Sequence, residues 1–180
     1  MKWMIASDLH GSALYCEQLL DAFFREGCDR LLLLGDLLYH GPRNDLPDGY
    51  DPKRVIALLN AKKQFICCVR GNCDCEVDQM VLAFPILSDS LLLPVGQTLI
   101  FATHGHLFNT GHLPPLQPGD VLLHGHTHVP AWERTGGILY CNPGSVSLPK
   151  GESRRGYMTL EDGTLCWKTL DGTAYHRETL

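Results

Sequence analysis

Three short apolar runs, Lys2–Ala6, Leu31–Leu34 and Phe65–Val69, each give way within two residues to small, acidic or amide side chains: Ser7-Asp8, Gly35-Asp36 and Gly71-Asn72. Runs of this length without polar alternation suit strands covered on both faces, as parallel strands usually are. Between the first two, Ser12 stands where a helix N-cap belongs. Leu14, Leu19, Leu20, Phe23 and Phe24 then recur at three- and four-residue spacings until Gly27, which predicts a helix with one face on the core. Between the second and third, Asp51-Pro52 supplies a cap and a first-turn proline, and Val55, Ile56, Leu58 and Leu59 form the apolar side of another helix. Strands joined through helices pair in parallel, and in open α/β sheets ligands gather beyond the carboxyl ends of the strands.

Tyr39–Tyr50, with two glycines, two prolines, an asparagine and two aspartates, reads as a loop. After a short helix around Glu76–Ala83 the character changes. Leu91–Leu93, Thr98–Thr103, Val121–Leu123, Ala131–Arg134, Ile138–Cys141, Tyr157–Leu160 and Leu165–Thr169 read as short strands, the last two forming a hairpin with Glu161–Thr164 at its tip. With 180 residues, 44% of them hydrophobic, the chain is expected to fold as a single domain over residues 1–180, of class α/β, with two sheets face to face and helices outside.

Fifteen Lys and Arg against 20 Asp and Glu leave a formal net charge of -5, which argues against stable nucleic-acid binding. A small phosphorylated substrate held by cations is compatible with that charge, because bound ions reverse the local sign. The apolar run before Ser7 is only the four residues Trp3–Ala6, too few for a signal-peptide core, and no stretch reads as a membrane span. Eight cysteines include the crowded Cys67, Cys68, Cys73 and Cys75, yet no Cys-x-x-Cys pair exists; reduced thiols and a cytoplasmic location are the expectation. A homo-oligomer is left open.

Five segments carry the chemistry: Asp8-Leu9-His10, Gly35-Asp36, Gly71-Asn72-Cys73-Asp74, Thr103-His104-Gly105-His106 and His124-Gly125-His126-Thr127-His128. Each follows a predicted strand directly, so all five are expected on one rim. Carboxylate, imidazole and amide donors of intermediate hardness suit Mn²⁺, Fe, Zn²⁺ or Co²⁺. His126 and His128, two apart, cannot share a helix face, but from a tight loop they can address two adjacent sites. A carboxylate able to bridge, with histidines on either side, describes a two-metal centre with ions roughly 3.5–4 Å apart.

In that order, Asp8-x-His10, Gly35-Asp36, Gly71-Asn72, His104 and Gly125-His126-Thr127-His128 resemble the signature of the calcineurin-like metallophosphoesterases. The Gly-Asn-Cys-Asp variant, with Asn142-Pro143-Gly144-Ser145 following, is similar to their small prokaryotic phosphodiesterase branch. The resemblance implies a four-layer α/β/β/α sandwich and a dinuclear site commonly served by Mn²⁺, with Zn²⁺, Fe²⁺, Co²⁺ or Ni²⁺ as alternatives. It implies that Asp8, His10 and His128 hold the first metal, that Asn72, His104 and His126 hold the second, and that Asp36 bridges. A metal-held hydroxide would attack phosphorus, with no covalent enzyme intermediate. Asn142–Ser145 would buttress the metal rim.

One position departs from the wider family: Cys73 stands where many members have a histidine that serves the transition state or the leaving oxygen. A thiol is a weak hydrogen-bond donor, so diesters and aryl esters are expected to react more easily than alkyl monoesters; an inert Cys73 merely filling the space is the other reading. His106 and His124 are read as lying beyond the ligands, and Arg70 as closing the sheet end. Loops Tyr39–Tyr50 and Phe108–Pro118 are expected to set specificity. The competing functions are a nuclease or dinucleoside-polyphosphate hydrolase on the same site, and a metal-poor scaffold like the retromer subunit of this fold.

Overall fold

A computed structural model describes residues 1–180. Two mixed sheets lie face to face. The first has the order β11-β10-β9-β1-β2-β3 and the second β4-β5-β6-β8-β7. In the first sheet, β1 (Trp3–Ala6), β2 (Arg30–Leu33) and β3 (Ile66–Cys68) run parallel, while β9 (Gly156–Glu161), β10 (Thr164–Thr169) and β11 (Ala174–Thr179) add antiparallel strands beyond β1. In the second, β5 (Thr98–Thr103), β6 (Val121–Leu123) and β8 (Ile138–Asn142) are parallel, edged by antiparallel β4 (Ser90–Val95) and β7 (Ala131–Thr135).

The apolar runs are buried on both faces, as their composition requires. Ile5, Leu32 and Leu34 point between the sheets, where they meet Ile100, Ala102, Val121, Leu123 and Trp167. Met4, Ala6, Leu31 and Leu33 point the other way, under α1 (Ala13–Arg25) and α2 (Pro52–Asn60). Ser12 caps α1 by accepting from the Tyr15 N–H, and Asp51 caps α2 by accepting from the Arg54 N–H. The buried face of α1 is Ala13, Tyr15, Cys16, Leu19, Leu20, Ala22 and Phe23. Leu14 and Phe24, expected on that face, are instead exposed by 42% and 51%; Phe24 lies beneath the Lys62 ammonium and edge-on to Phe65.

The predicted two-sheet α/β sandwich is present. Its outer covering is uneven: the 104–120 connection over the second sheet contains no helix, and Phe108 from it rests edge-on against Phe101. A third helix, α3 (Glu76–Val81), is tied to α2 by Asn60, which donates to the Val81 carbonyl. β11 was not expected, because its sequence of Ala, Tyr, His, Arg, Glu and Thr has no apolar alternation; it is a largely exposed edge strand of the charged kind that discourages edge-to-edge pairing. No helix is long and apolar enough to cross a membrane. All eight cysteines are free thiols, and Cys67 and Cys68 point into opposite cores rather than toward Cys73 and Cys75.

Register positions the site. Ala6 pairs with Leu33 and Leu33 with Cys68, so the chain leaves all three parallel strands at one level. Ala102, Leu123 and Cys141 align in the same way across the second sheet. Every polar segment singled out above therefore leaves its sheet at one shared rim.

Candidate metal centre

The loops beyond the parallel strands are built tightly. Gly35 and Gly71 touch backbone to backbone, and a Cβ on Gly71 would collide with the carboxylate and amide of Asp36, so only glycine lets these two loops meet. Asp74 then clamps them: its buried carboxylate accepts from the Asp36 and Gly71 N–H groups at 2.8 and 2.7 Å and from Leu37 at 2.9 Å. Asp8, His10, Asp36, His126 and His128 all have positive φ, at 60°, 46°, 55°, 66° and 62°. That conformation costs an L-residue roughly 1–2 kcal/mol, and its gathering at one place marks a site shaped for its side chains rather than for backbone comfort.

Seven side chains converge. Asp8 Oδ1 lies 3.5 Å from His10 Nε2 and 3.2 Å from His128 Nε2, and the two imidazole nitrogens are 3.2 Å apart. His104 Nε2 lies 3.1 Å from Asn72 Oδ1 and 3.1 Å from His126 Nδ1. Asp36 Oδ2 stands between the two groups, 3.6 Å from His10 Nε2 and 3.4 Å from His104 Nε2. The residues expected to act together are together.

The hydrogen bonds on the far side of each ring decide what faces inward. His10, His104 and His128 each donate from Nδ1 to a backbone carbonyl, of Tyr39 at 2.8 Å, Leu34 at 2.7 Å and Leu148 at 2.6 Å. With Nδ1 carrying the hydrogen, Nε2 of a neutral imidazole presents a lone pair. Two lone pairs and a buried carboxylate oxygen that has no hydrogen-bond partner, Asp8 Oδ1, thus point at one another. The second group likewise turns an amide oxygen, a carboxylate oxygen and two ring nitrogens onto one point. Such a set is mutually repulsive until a cation stands in it, and its mixed nitrogen and oxygen donors fit transition-metal dications. Outside the cage, the Ser145 and Ser147 hydroxyls both donate to the Asp8 carbonyl, and Asn142 donates to the Gly125 carbonyl, so the 142–147 turn does brace the rim.

Charge follows the same pattern. Burial works against ionising Asp8 and Asp36, but the adjoining imidazoles of His10 and His128 hold Asp8 well below the usual carboxylate range, and His104 lowers Asp36. Burial also opposes a charge on His104, yet the bond to Asp36 and the field of Asp8 prevail and raise it to about 9. Burial and then the His104 charge push His126 down to about 4. At neutral pH a proton therefore occupies His104 in the place a cation would take. Metal uptake must release it, and Mn²⁺ affinity is expected to climb between about pH 6 and about pH 8, by up to about tenfold per unit. Calorimetric titrations in buffers of different ionisation heat measure this directly; an affinity flat over that range with no proton release would contradict it.

Of the remaining sequence candidates, Arg70, His106 and His124 fall outside the cage, while the Cys73 sulfur lies within 4.8 Å of the ligand atoms of His10 and Asp36. Arg70 pairs with Asp89 at 2.8 Å, closing the sheet end. His124 lies tilted against Tyr140 beneath Gly105, and with His106 it borders an adjoining cavity of about 500 Å³ that also contains Asn109 and Thr110 from the 108–118 loop. Cys73 lines the metal cavity, which encloses about 400 Å³ and includes Gly41–Asn44 from the first loop. Sequence reasoning missed the clamp of Asp74, the brace of Ser147, which extends the expected 142–145 buttress, and the three carbonyls that orient the histidines; a carbonyl leaves no trace in residue type.

A match to the calcineurin-like phosphoesterase superfamily domain spans residues 1–164. The chain belongs to that superfamily. It is 48% identical to the phosphodiesterase YfcE of Escherichia coli K12 over 165 residues, 92% of this chain and 90% of that one. It superposes on the solved structure of E. coli YfcE, described as a phosphoesterase, with a TM-score of 0.95, 45% identity and 99% coverage of both chains. Vps29 from Entamoeba histolytica shares the fold alone, with a TM-score of 0.64 and 22% identity. Superfamily membership and the near-complete likeness to YfcE make the chain a metal-dependent phosphoric ester hydrolase.

Proposed function

We propose that the chain hydrolyses small phosphodiesters at a dinuclear centre, with Asp8, His10 and His128 holding one divalent cation, Asn72, His104 and His126 the other, and Asp36 Oδ2 shared between them. The observation that carries this reading is the double cage itself: lone-pair atoms of seven residues facing inward at 3.1–3.6 Å from one another, with a single carboxylate oxygen common to both halves. Mn²⁺ is the proposed resident metal, on the family resemblance and the donor set; Zn²⁺, Fe²⁺, Co²⁺ and Ni²⁺ suit the same donors.

When bound, such a cation pair supplies Lewis acidity to phosphoryl oxygens and lowers the pKa of water. The chain's own residues do the rest. Asp8 and Asp36 balance part of the added charge, and the carbonyl-anchored histidines keep the cage in one geometry before substrate arrives, as electrostatic preorganisation demands. The Asn72 amide, donating to Cys73 Sγ at 3.3 Å, keeps its oxygen turned toward His104.

Cys73 sets the leaving-group preference. In the metal-free chain, burial, and then the Asp36 carboxylate, push its thiol up to about 12, and a thiol is a weak hydrogen-bond donor compared with an imidazolium. Esters whose leaving oxygen needs no proton are favoured, and Cys73→His is expected to raise alkyl monoester turnover by about 10²-fold, the low end of general-acid catalysis. Rates on an aryl diester, an aryl monoester and an alkyl monoester, with each metal supplied separately, test the reading; best activity on the alkyl monoester by the native chain would refute it. The net charge of -5 and the small cavity support a small phosphate ester over nucleic acid as substrate, and eight free thiols support a cytoplasmic location.

A further inference from the structure

The metal cavity has two cations at its mouth that the catalytic reading leaves without a task. Arg43 and Lys150 line it together with His10, Asp36, Asn72 and His128. Both arrive on segments that already serve the cage. The Tyr39 carbonyl orients His10, and five residues later Asn44 closes the turn by bonding back to Gly41 and His40, presenting Arg43 between them. The Leu148 carbonyl orients His128, and two residues later the Lys150 N–H donates to the His128 carbonyl. The two charges are thus tied in sequence and by hydrogen bonds to the ligands of one half of the cage.

Neither side chain has a carboxylate partner. Arg70 and Arg155 are paired with Asp89 and Asp48, whereas the Arg43 and Lys150 side chains enter no ion pair. Most Lys and Arg of the chain enter no ion pair, so what sets these two apart is the cavity they share with the cage. A dication pair set against the carboxylates of Asp8 and Asp36 and the hydroxide it would hold leaves a surplus of about one positive charge, which the scissile diester matches, so Arg43 and Lys150 are left to serve a second anion.

Resting on the diesterase reading above, we propose that Arg43 and Lys150 form an anion subsite, and that the preferred substrates are phosphodiesters carrying a second phosphate-like group on one of their arms. The scissile phosphate occupies the cage while the second anion reaches the rim, where Arg43 offers a forked, bidentate contact and Lys150 a point charge.

Alkane-α,ω-bisphosphonates of graded tether length, which cannot be hydrolysed, are the probe, with methylphosphonate as the one-headed reference. Their dissociation constants for the Mn²⁺-loaded protein, measured by calorimetry, are expected to differ by about tenfold or more at the best tether, and the ratio is expected to fall below about threefold in the Arg43→Gln/Lys150→Gln double variant. Arg43→Lys with Lys150→Arg should retain most of the preference. The ratio is the readout because a general loss of folding or metal weakens both ligands together. A native ratio below about threefold at every tether, or a preference that survives the double Gln substitution, overturns the subsite. Failure of the diesterase reading shows separately, as absence of metal-dependent turnover of bis(p-nitrophenyl) phosphate, and the calorimetric comparison still decides the subsite in that event.

Discussion

Asp36→Asn should yield a protein that folds normally and turns over phosphodiester slower by on the order of 10³-fold, comparable to removal of a principal transition-state stabiliser elsewhere. The substitution isolates charge from shape. Asp36 sits at φ 55°, a conformation asparagine tolerates better than most residues, and the amide oxygen can still accept from the Cys73 N–H as Oδ1 does at 2.8 Å. What is lost is the second anionic oxygen, the one that lies 3.6 Å from His10 and 3.4 Å from His104. On the proposed dinuclear reading, the two halves of the cage would then have no shared carboxylate to hold their cations side by side. Stopped-flow or steady-state rates under saturating Mn²⁺, with far-ultraviolet circular dichroism as the folding control, measure the effect. Near-normal rates would show that Asp36 does not bridge.

Asp74→Ala should act on the fold first and on the chemistry through it. Three backbone N–H groups, of Asp36, Leu37 and Gly71, point at this one carboxylate, whose residue is 6% exposed. Alanine leaves all three without a partner, at about 1–3 kcal/mol for each buried donor that water cannot reach. The total is a large share of the roughly 5–15 kcal/mol by which a domain is stable. Asp74→Asn should fall between, because one oxygen still accepts while its NH₂ meets donors. Urea midpoints of the three proteins, read with Mn²⁺ content after dialysis, test the order native, Asn, Ala; equal midpoints would mean the loops are held together by something else.

The contrast between these two positions shows what was legible in the sequence. Asp36 was found because it ends an apolar run, and parallel register turns strand ends into neighbours. His104 and His126 were found on the same ground. Asp74 stood in the same motif without an assigned role, since its work is to receive three N–H groups whose directions depend on loops from two different strands. The positive φ of Asp8 and His128 likewise follows from closure of the cage and not from local preference. In the fold, the covered strands were the clearest, because burial on both faces forces continuous apolar runs. β11 was hidden because an exposed edge strand needs no such pattern, and Leu14 and Phe24 were placed inside because helical spacing defines a stripe more sharply than its margins. Arg43 and Lys150 are silent in sequence; what distinguishes them is a shared cavity, a property of three dimensions.

Anomalous diffraction from crystals grown with Mn²⁺, recorded on both sides of the manganese edge, tests the dinuclear centre at its root. Two peaks roughly 3.5–4 Å apart, one among Asp8, His10 and His128 and the other among Asn72, His104 and His126, with Asp36 between them, are the expected map. A single peak, or peaks lying outside that cage, would contradict it.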